Sequence, residues 1–116
     1  PNGIRWKMVP ERQDSGVLEE GMLTSDEPGI YIEGSHGIRT ENLILCRKAE
    51  KNGYGQFMRF EFVTFAPIDL DAIDKSLMRP EDVELLNAYH SQVYEKIAPY
   101  LTEEEAAWLK EYTRAI

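Results

Sequence analysis

Glu27, Arg39 and Glu41 are the charged residues of this sequence best placed for chemistry. Glu27 stands before Pro28-Gly29, a turn signal that can aim its side chain sharply. Arg39 and Glu41 alternate within a segment that reads as one strand from Ile38 to Cys46, so both side chains point to the same face. Such a set supports two kinds of chemistry. A guanidinium can neutralise the carboxylates as a cross-face ion pair, or the carboxylates can offer hard oxygen donors to a divalent cation. On composition and spacing alone the ion pair is the stronger reading, because two glutamates fourteen residues apart are no metal signature by themselves.

The other chemically capable residues have plainer settings. Cys46 is the lone cysteine, so no internal disulfide can form. It follows Leu43-Ile44-Leu45 in strand-like sequence and reads as a small buried hydrophobe. His90 lies on an apolar helical stripe and reads as a buried histidine with a hydrogen bond, not as a metal ligand. His36 sits in a glycine-flanked turn, with a turn or substrate-side role. Asp69, Asp71 and Asp74 read as a solvated turn.

Strands and turns must carry the two glutamates. Ile4 to Val9 alternates apolar and polar residues, Pro10 to Glu20 is a polar loop, and Gly21 to Ser25 is extended. Ile30 to Ile32 is extended again, and Gly34 to Gly37 is a turn. Lys48 to Gly55 reads as a loop and Phe57 to Phe65 as a strand, with Met58, Phe60 and Phe62 on one face. The last third is helical. Pro80 suits a first helical turn, and Val83, Leu86, His90, Val93 and Ile97 recur at three- and four-residue steps. Pro99 closes that helix. Thr102 and Glu105 form a capping box for a second, whose buried stripe would be Ala106, Leu109 and Tyr112 with Trp108 at the edge. The pattern predicts an α+β fold of mostly antiparallel strands followed by two C-terminal helices.

Composition narrows the partners. The 116 residues suit one domain or part of one. A net charge of −8 offers no basic face to nucleic acid or to an anionic membrane surface. No apolar run approaches the roughly 18 residues of a membrane span. The cysteine usage fits a reducing compartment, and a cytoplasmic location is expected.

Two motifs, taken together, resemble the closing motifs of the pita-bread metallopeptidases, the family of Xaa-Pro aminopeptidases, prolidases and methionine aminopeptidases. They are Asp26-Glu27-Pro28-Gly29 with Tyr31, and Ile38-Arg39-Thr40-Glu41-Asn42. Thr40 departs from the Ile or His more usual in relatives. Beyond them, Phe65-Ala66-Pro67-Ile68-Asp69, Leu86-Asn87-Ala88-Tyr89-His90 and the closing Trp108-Leu109 resemble the C-terminal extension of the long aminopeptidase P forms. The resemblance covers essentially the whole chain and favours aminopeptidase P. It implies the C-terminal part of a pita-bread catalytic domain over residues 1–55 and the extension over 56–116.

The resemblance also implies a site. Glu27 and Glu41 would be two of five ligands to a pair of divalent metal ions, manganese by preference. Glu27 would also accept a proton from the attacking water, and Glu41 would bridge the two ions. Arg39 would orient the carboxylates, and Tyr31 would join their hydrogen-bond network. The reaction implied is hydrolysis of the bond between an N-terminal residue and a following proline. In the family the two Asp ligands and the His ligand lie upstream, and Pro1 matches the end of a His-Glu-Gly-Pro segment. The chain is therefore expected to be a C-terminal fragment, inactive alone and prone to self-association through uncovered strands, with full-length relatives commonly dimers. The competing expectations are a non-catalytic binding or dimerisation module of the same ancestry, and a prolidase-type dipeptidase.

Overall fold

The computed structural model describes residues 16–116; the strand expected over Ile4–Val9 lies outside the described residues. The chain divides into two compact units, one ending at Thr64 and the other beginning at Phe65.

Among the described residues the first unit holds five strands. β1 (Leu23–Asp26), β4 (Asn42–Asn52) and β5 (Gly55–Phe62) form an antiparallel sheet with β4 in the centre. β2 (Gly29–Ile32) and β3 (His36–Arg39) form a separate antiparallel pair. Three expectations need correction. The turn expected from Gly34 to Gly37 is Glu33 to Ser35, and His36 and Gly37 begin β3. The strand expected from Ile38 to Cys46 is two strands, broken at Thr40 and Glu41. The loop expected from Lys48 to Gly55 shrinks to a turn at Gly53 and Tyr54, because β4 runs on to Asn52. Asn52 explains the tight closure: its side-chain Oδ1 accepts from the Tyr54 N–H at 3.0 Å. Gly55 follows at φ 132°, a value other residues rarely adopt. The polar run from Lys48 to Lys51 had suggested a loop. It is a strand with an irregularity, since Lys48 pairs with Met58 but Lys51 with Gln56, leaving two residues of β4 opposite one of β5. Cys46 is fully buried and unpaired with any other thiol, as its sequence setting suggested.

The second unit is built on α1 (Pro80–Ile97) and α2 (Glu103–Tyr112). Pro80 occupies the first helical turn, where its missing N–H costs nothing, and Glu81 and Asp82 sit beside the positive end of the helix dipole. α1 gives way to a short 3₁₀ turn at Ala98–Tyr100 that contains Pro99. The capping box forms as expected: the Thr102 hydroxyl accepts from the Glu105 N–H at 3.3 Å, and Glu105 accepts from the Thr102 N–H at 2.8 Å. The core is Tyr89, Val93 and Leu109, with Phe65, Ile68, Tyr94, Ile97 and Leu101 packed against it. Tyr112 is a correction. It is not buried but stacks on Trp108 at the surface, ring centroids 4.4 Å apart, because the buried face runs from Leu109 to Thr113 and leaves Tyr112 beside it.

Three polar side chains of α1 tie the rest of this unit to the helix. Asn87 holds Ile116 by two bonds: its Oδ1 accepts from the Ile116 N–H, and its Nδ2 donates to the Ile116 carbonyl. The Tyr89 hydroxyl accepts from the Ala66 N–H and donates to the Ala66 carbonyl. His90 Nε2 accepts from the Ile68 N–H at 3.0 Å. The segment around Pro67, which cannot pair its own backbone in a strand, thereby gains its partners. Asp69 and Asp74 cap short 3₁₀ turns by accepting from the Asp71 and Ser76 N–H groups.

His90 is completely buried, and Nδ1 has no hydrogen-bond partner among the described residues. Burial holds its pKa below the usual histidine range; the Arg114 backbone nearby opposes this with a smaller effect. The folded state therefore favours neutral His90. Its contribution to stability is complete above the unfolded value, about 6.5, and is lost as pH falls below it. Urea denaturation followed by circular dichroism should show helical stability declining from about pH 7 to pH 5. His90→Gln should flatten that slope; an unchanged slope in the variant would assign it to other groups.

Candidate metal centre

Both glutamates sit in the breaks between the two sheets. β1 pairs with β4 so that Asp26 lies opposite Asn42, and β2 pairs with β3 so that Gly29 lies opposite Arg39. Carrying the first register forward one residue sets Glu27 opposite Glu41. Carrying the second back by two gives the same pair, with Pro28 opposite Thr40. The two sheets are thus one long hairpin in a single register, interrupted for two residue pairs. The interruption has local causes. Pro28 has no N–H to give the ladder, and two carboxylates directly opposite repel. One bond survives across it, from the Thr40 N–H to the Pro28 carbonyl at 3.3 Å.

Arg39 bridges the two carboxylates. Its Nε lies 3.2 Å from Glu41 Oε2, and its NH1 lies 3.7 Å from Glu27 Oε2. The expected ion pair therefore exists, although not through alternation in one strand: Arg39 ends β3 and Glu41 follows in the break. The other oxygen of Glu27 accepts from the Ser25 hydroxyl at 2.7 Å. Arg39 is held above its ordinary pKa, first by the Tyr31 hydroxyl beside it and then by Glu41 and Glu27. On the far side of Glu41, Asn42 is fixed by the Thr64 hydroxyl, which donates to Asn42 Oδ1 at 2.8 Å and accepts from the Leu43 N–H at 2.9 Å.

The structure thus brings together all four expected site residues, Glu27, Tyr31, Arg39 and Glu41. His36 stands apart at the start of β3, its Nδ1 2.9 Å from the Ser35 hydroxyl. Ser25 and Thr64 were not singled out from the sequence. Ser25 could have been found by its place two residues before Glu27 on an extended segment, which shares a face with it. Thr64 carried no local signal. The triad is about half exposed, and exposed ion pairs contribute little to stability, so stability does not account for two carboxylates held face to face. Two converging carboxylates are a donor set suited to hard divalent ions. Among the described residues, no group of three or more His, Cys, Asp or Glu side chains gathers that could hold a metal ion alone.

A hairpin that opposes two carboxylates is thus followed by a helical unit. Residues 3–48 match the model of metallopeptidase family M24, and residues 56–116 match that of the C-terminal region of peptidase M24. The chain belongs to this family. It is 36% identical to Xaa-Pro aminopeptidase 2 of Sus scrofa, over the whole chain and 17% of that protein. It is 40% identical to aminopeptidase P2 of Arabidopsis thaliana, over 85% of the chain and 14% of that protein. Among solved structures it resembles X-prolyl aminopeptidase from Caenorhabditis elegans, described as a cytosolic enzyme with a di-nuclear active site. That likeness has a TM-score of 0.76 at 30% identity and covers 85% of this chain and 17% of the other. The chain spans about a sixth of the length of these relatives. The antiparallel strands followed by two helices are therefore those of part of an X-prolyl aminopeptidase fold, as the sequence led one to expect. No helix among the described residues is long and apolar enough to cross a membrane.

Proposed function

We propose that Glu27 and Glu41 are metal ligands in a di-nuclear Xaa-Pro aminopeptidase site. The observation that carries this reading is the opposition of the two carboxylates across the interrupted hairpin, with Arg39 between them. The remaining ligands come from elsewhere in a longer polypeptide. Two divalent ions, manganese by preference, would supply Lewis acidity and a nucleophile at neutral pH. The chain's own residues do the rest. Glu27 takes the proton of the attacking water. Ser25 and Arg39 fix its two oxygens, so that it faces one direction. Arg39 and Tyr31 hold Glu41 in place. Residues 1–55 serve the catalytic domain and 56–116 form its extension. The substrates are peptides with proline in second position, the location is the cytosol, and the assembled enzyme is a homo-oligomer. The likeness to the cytosolic, di-nuclear C. elegans enzyme supports this reading.

The test is an assay of the longest polypeptide that carries this chain, supplied with manganese, on Xaa-Pro dipeptides and on longer Xaa-Pro peptides. Release of the first residue from the longer peptides is expected, with none from the 116-residue chain alone. Cleavage confined to dipeptides would favour a prolidase. No cleavage of either would leave a binding module of the same ancestry.

A further inference from the structure

We propose that Gly29 and Gly37 form a seat for the ring of Tyr31, and so act as positioning residues for Arg39 and the two glutamates. Gly29 pairs with Arg39 and Tyr31 with Gly37, so these four residues share one face of the β2–β3 hairpin. The ring of Tyr31 lies where two side chains would otherwise stand. A Cβ on Gly37 would fall 2.6 Å from Tyr31 Cδ1, near the root of the ring. A Cβ on Gly29 would fall 2.8 Å from the Tyr31 hydroxyl and 2.9 Å from Cε2, at its far end. The ring therefore spans from one glycine to the other and delivers its hydroxyl at Gly29, whose cross-strand partner is Arg39.

Neither glycine is needed for its backbone. Among the described residues the glycines at positive φ are Gly21, Gly34 and Gly55, while Gly29 and Gly37 are extended like any strand residue. Two glycines in two four-residue strands weaken the pairing, so their presence calls for another reason. An aromatic ring laid over a strand glycine restores the lost packing. It also selects one rotamer for a side chain that is otherwise 67% exposed and free to choose among several. The selected rotamer keeps the hydroxyl beside Arg39, and Arg39 in turn reaches Glu27 and Glu41.

The functional meaning of the seat rests on the metal-site reading above; the seat itself does not, and its test needs no metal. In the 116-residue chain, the guanidinium N–H nuclear magnetic resonance signal of Arg39 reports the hydroxyl beside it. Gly29→Ala meets only the flexible end of the ring. It should move that signal as far as Tyr31→Phe does, with little change in stability. Gly37→Ala meets the root of the ring and should lower stability, but in a Tyr31→Ala background the same change should cost nothing or stabilise. The seat is overturned if Gly29→Ala leaves the Arg39 signal in place, or if Gly37→Ala costs as much without the ring as with it. If Gly37→Ala does not fold, the Gly29→Ala signal decides alone. Failure of manganese binding or peptidase activity would sink the metal-site reading and leave these signals unchanged.

Discussion

Glu41→Gln, placed in a polypeptide that completes the site, is expected to lower proline-bond cleavage about a thousandfold while leaving the fold intact. The substitution keeps the shape of the side chain and removes the charge. Arg39 can still meet an oxygen at the position of Glu41 Oε2, now 3.2 Å away. What disappears is half of an opposed carboxylate pair, and with it, on the proposed reading, the hold on the divalent ions that would polarise substrate and lower the pKa of water, an effect that spans several powers of ten in rate. Glu27→Gln should fall as far, because it would also remove the proposed proton acceptor. Arg39→Lys should cost less, about 10–100-fold, as is usual when a residue orients ligands without being one. Stability separates this from a structural role. Removing one of two like charges directly opposite in register should leave the urea midpoint unchanged or slightly raised. Steady-state rates and urea titrations on the three variants make the check. A Glu41→Gln variant within tenfold of the parent would remove Glu41 from the ligand set, and a lowered urea midpoint would make the pair a structural feature instead.

Leu109→Ala is expected to destabilise the helical unit by about 2–5 kcal/mol. Leu109 is 3% exposed and packs with Tyr89 and Val93 in a small core. Its removal loses both the transfer energy and the fit of the cavity, and a unit running only from Phe65 to Ile116 has little stability in reserve. The next residue back gives the contrast. Trp108 is larger but half exposed and stacked on Tyr112, and such a pair is worth about 0.5–1.5 kcal/mol. Trp108→Ala should therefore cost less than Leu109→Ala despite deleting more atoms. Urea titrations monitored at 222 nm decide it, and the reverse order would show that the helices are held elsewhere than through Leu109.

The helical unit was legible because its signals are local. Pro80, the Thr102–Glu105 pair and the stripe from Val83 to Ile97 each act within a turn or two of the helix, and each is found where expected. The stripe expected on the second helix failed at Tyr112, because the step from Leu109 to the next buried residue is four, to Thr113, and not three. The motif resemblance picked out Asn87 and Tyr89, but their clamping roles were hidden because their partners, Ile116 and Ala66, are distant in sequence. The site was half legible. Motif resemblance singled out Glu27, Tyr31, Arg39 and Glu41, but alternation ran straight through Thr40 and Glu41 and gave one strand where there are two. The break depends on a proline and a like charge on the opposite strand, which no window along a single strand contains. One sequence signal does hold the pairing: Glu27 and Glu41 are equidistant from Gly34, the positive-φ centre of the connecting turn.

That turn, Glu33 to Ser35, is therefore a ruler for the site. Its length sets which residue of one arm meets which of the other, and the pairing carries unchanged through the break into the larger sheet. A single residue inserted there would touch no carboxylate, yet it would move Glu27 off Glu41, lift Tyr31 from Gly37 and part Gly29 from Arg39 in one stroke. Strand sequences on either side can drift as long as their alternation survives. The number of residues between the arms cannot, and this makes a surface loop as exacting as the ligands it spaces.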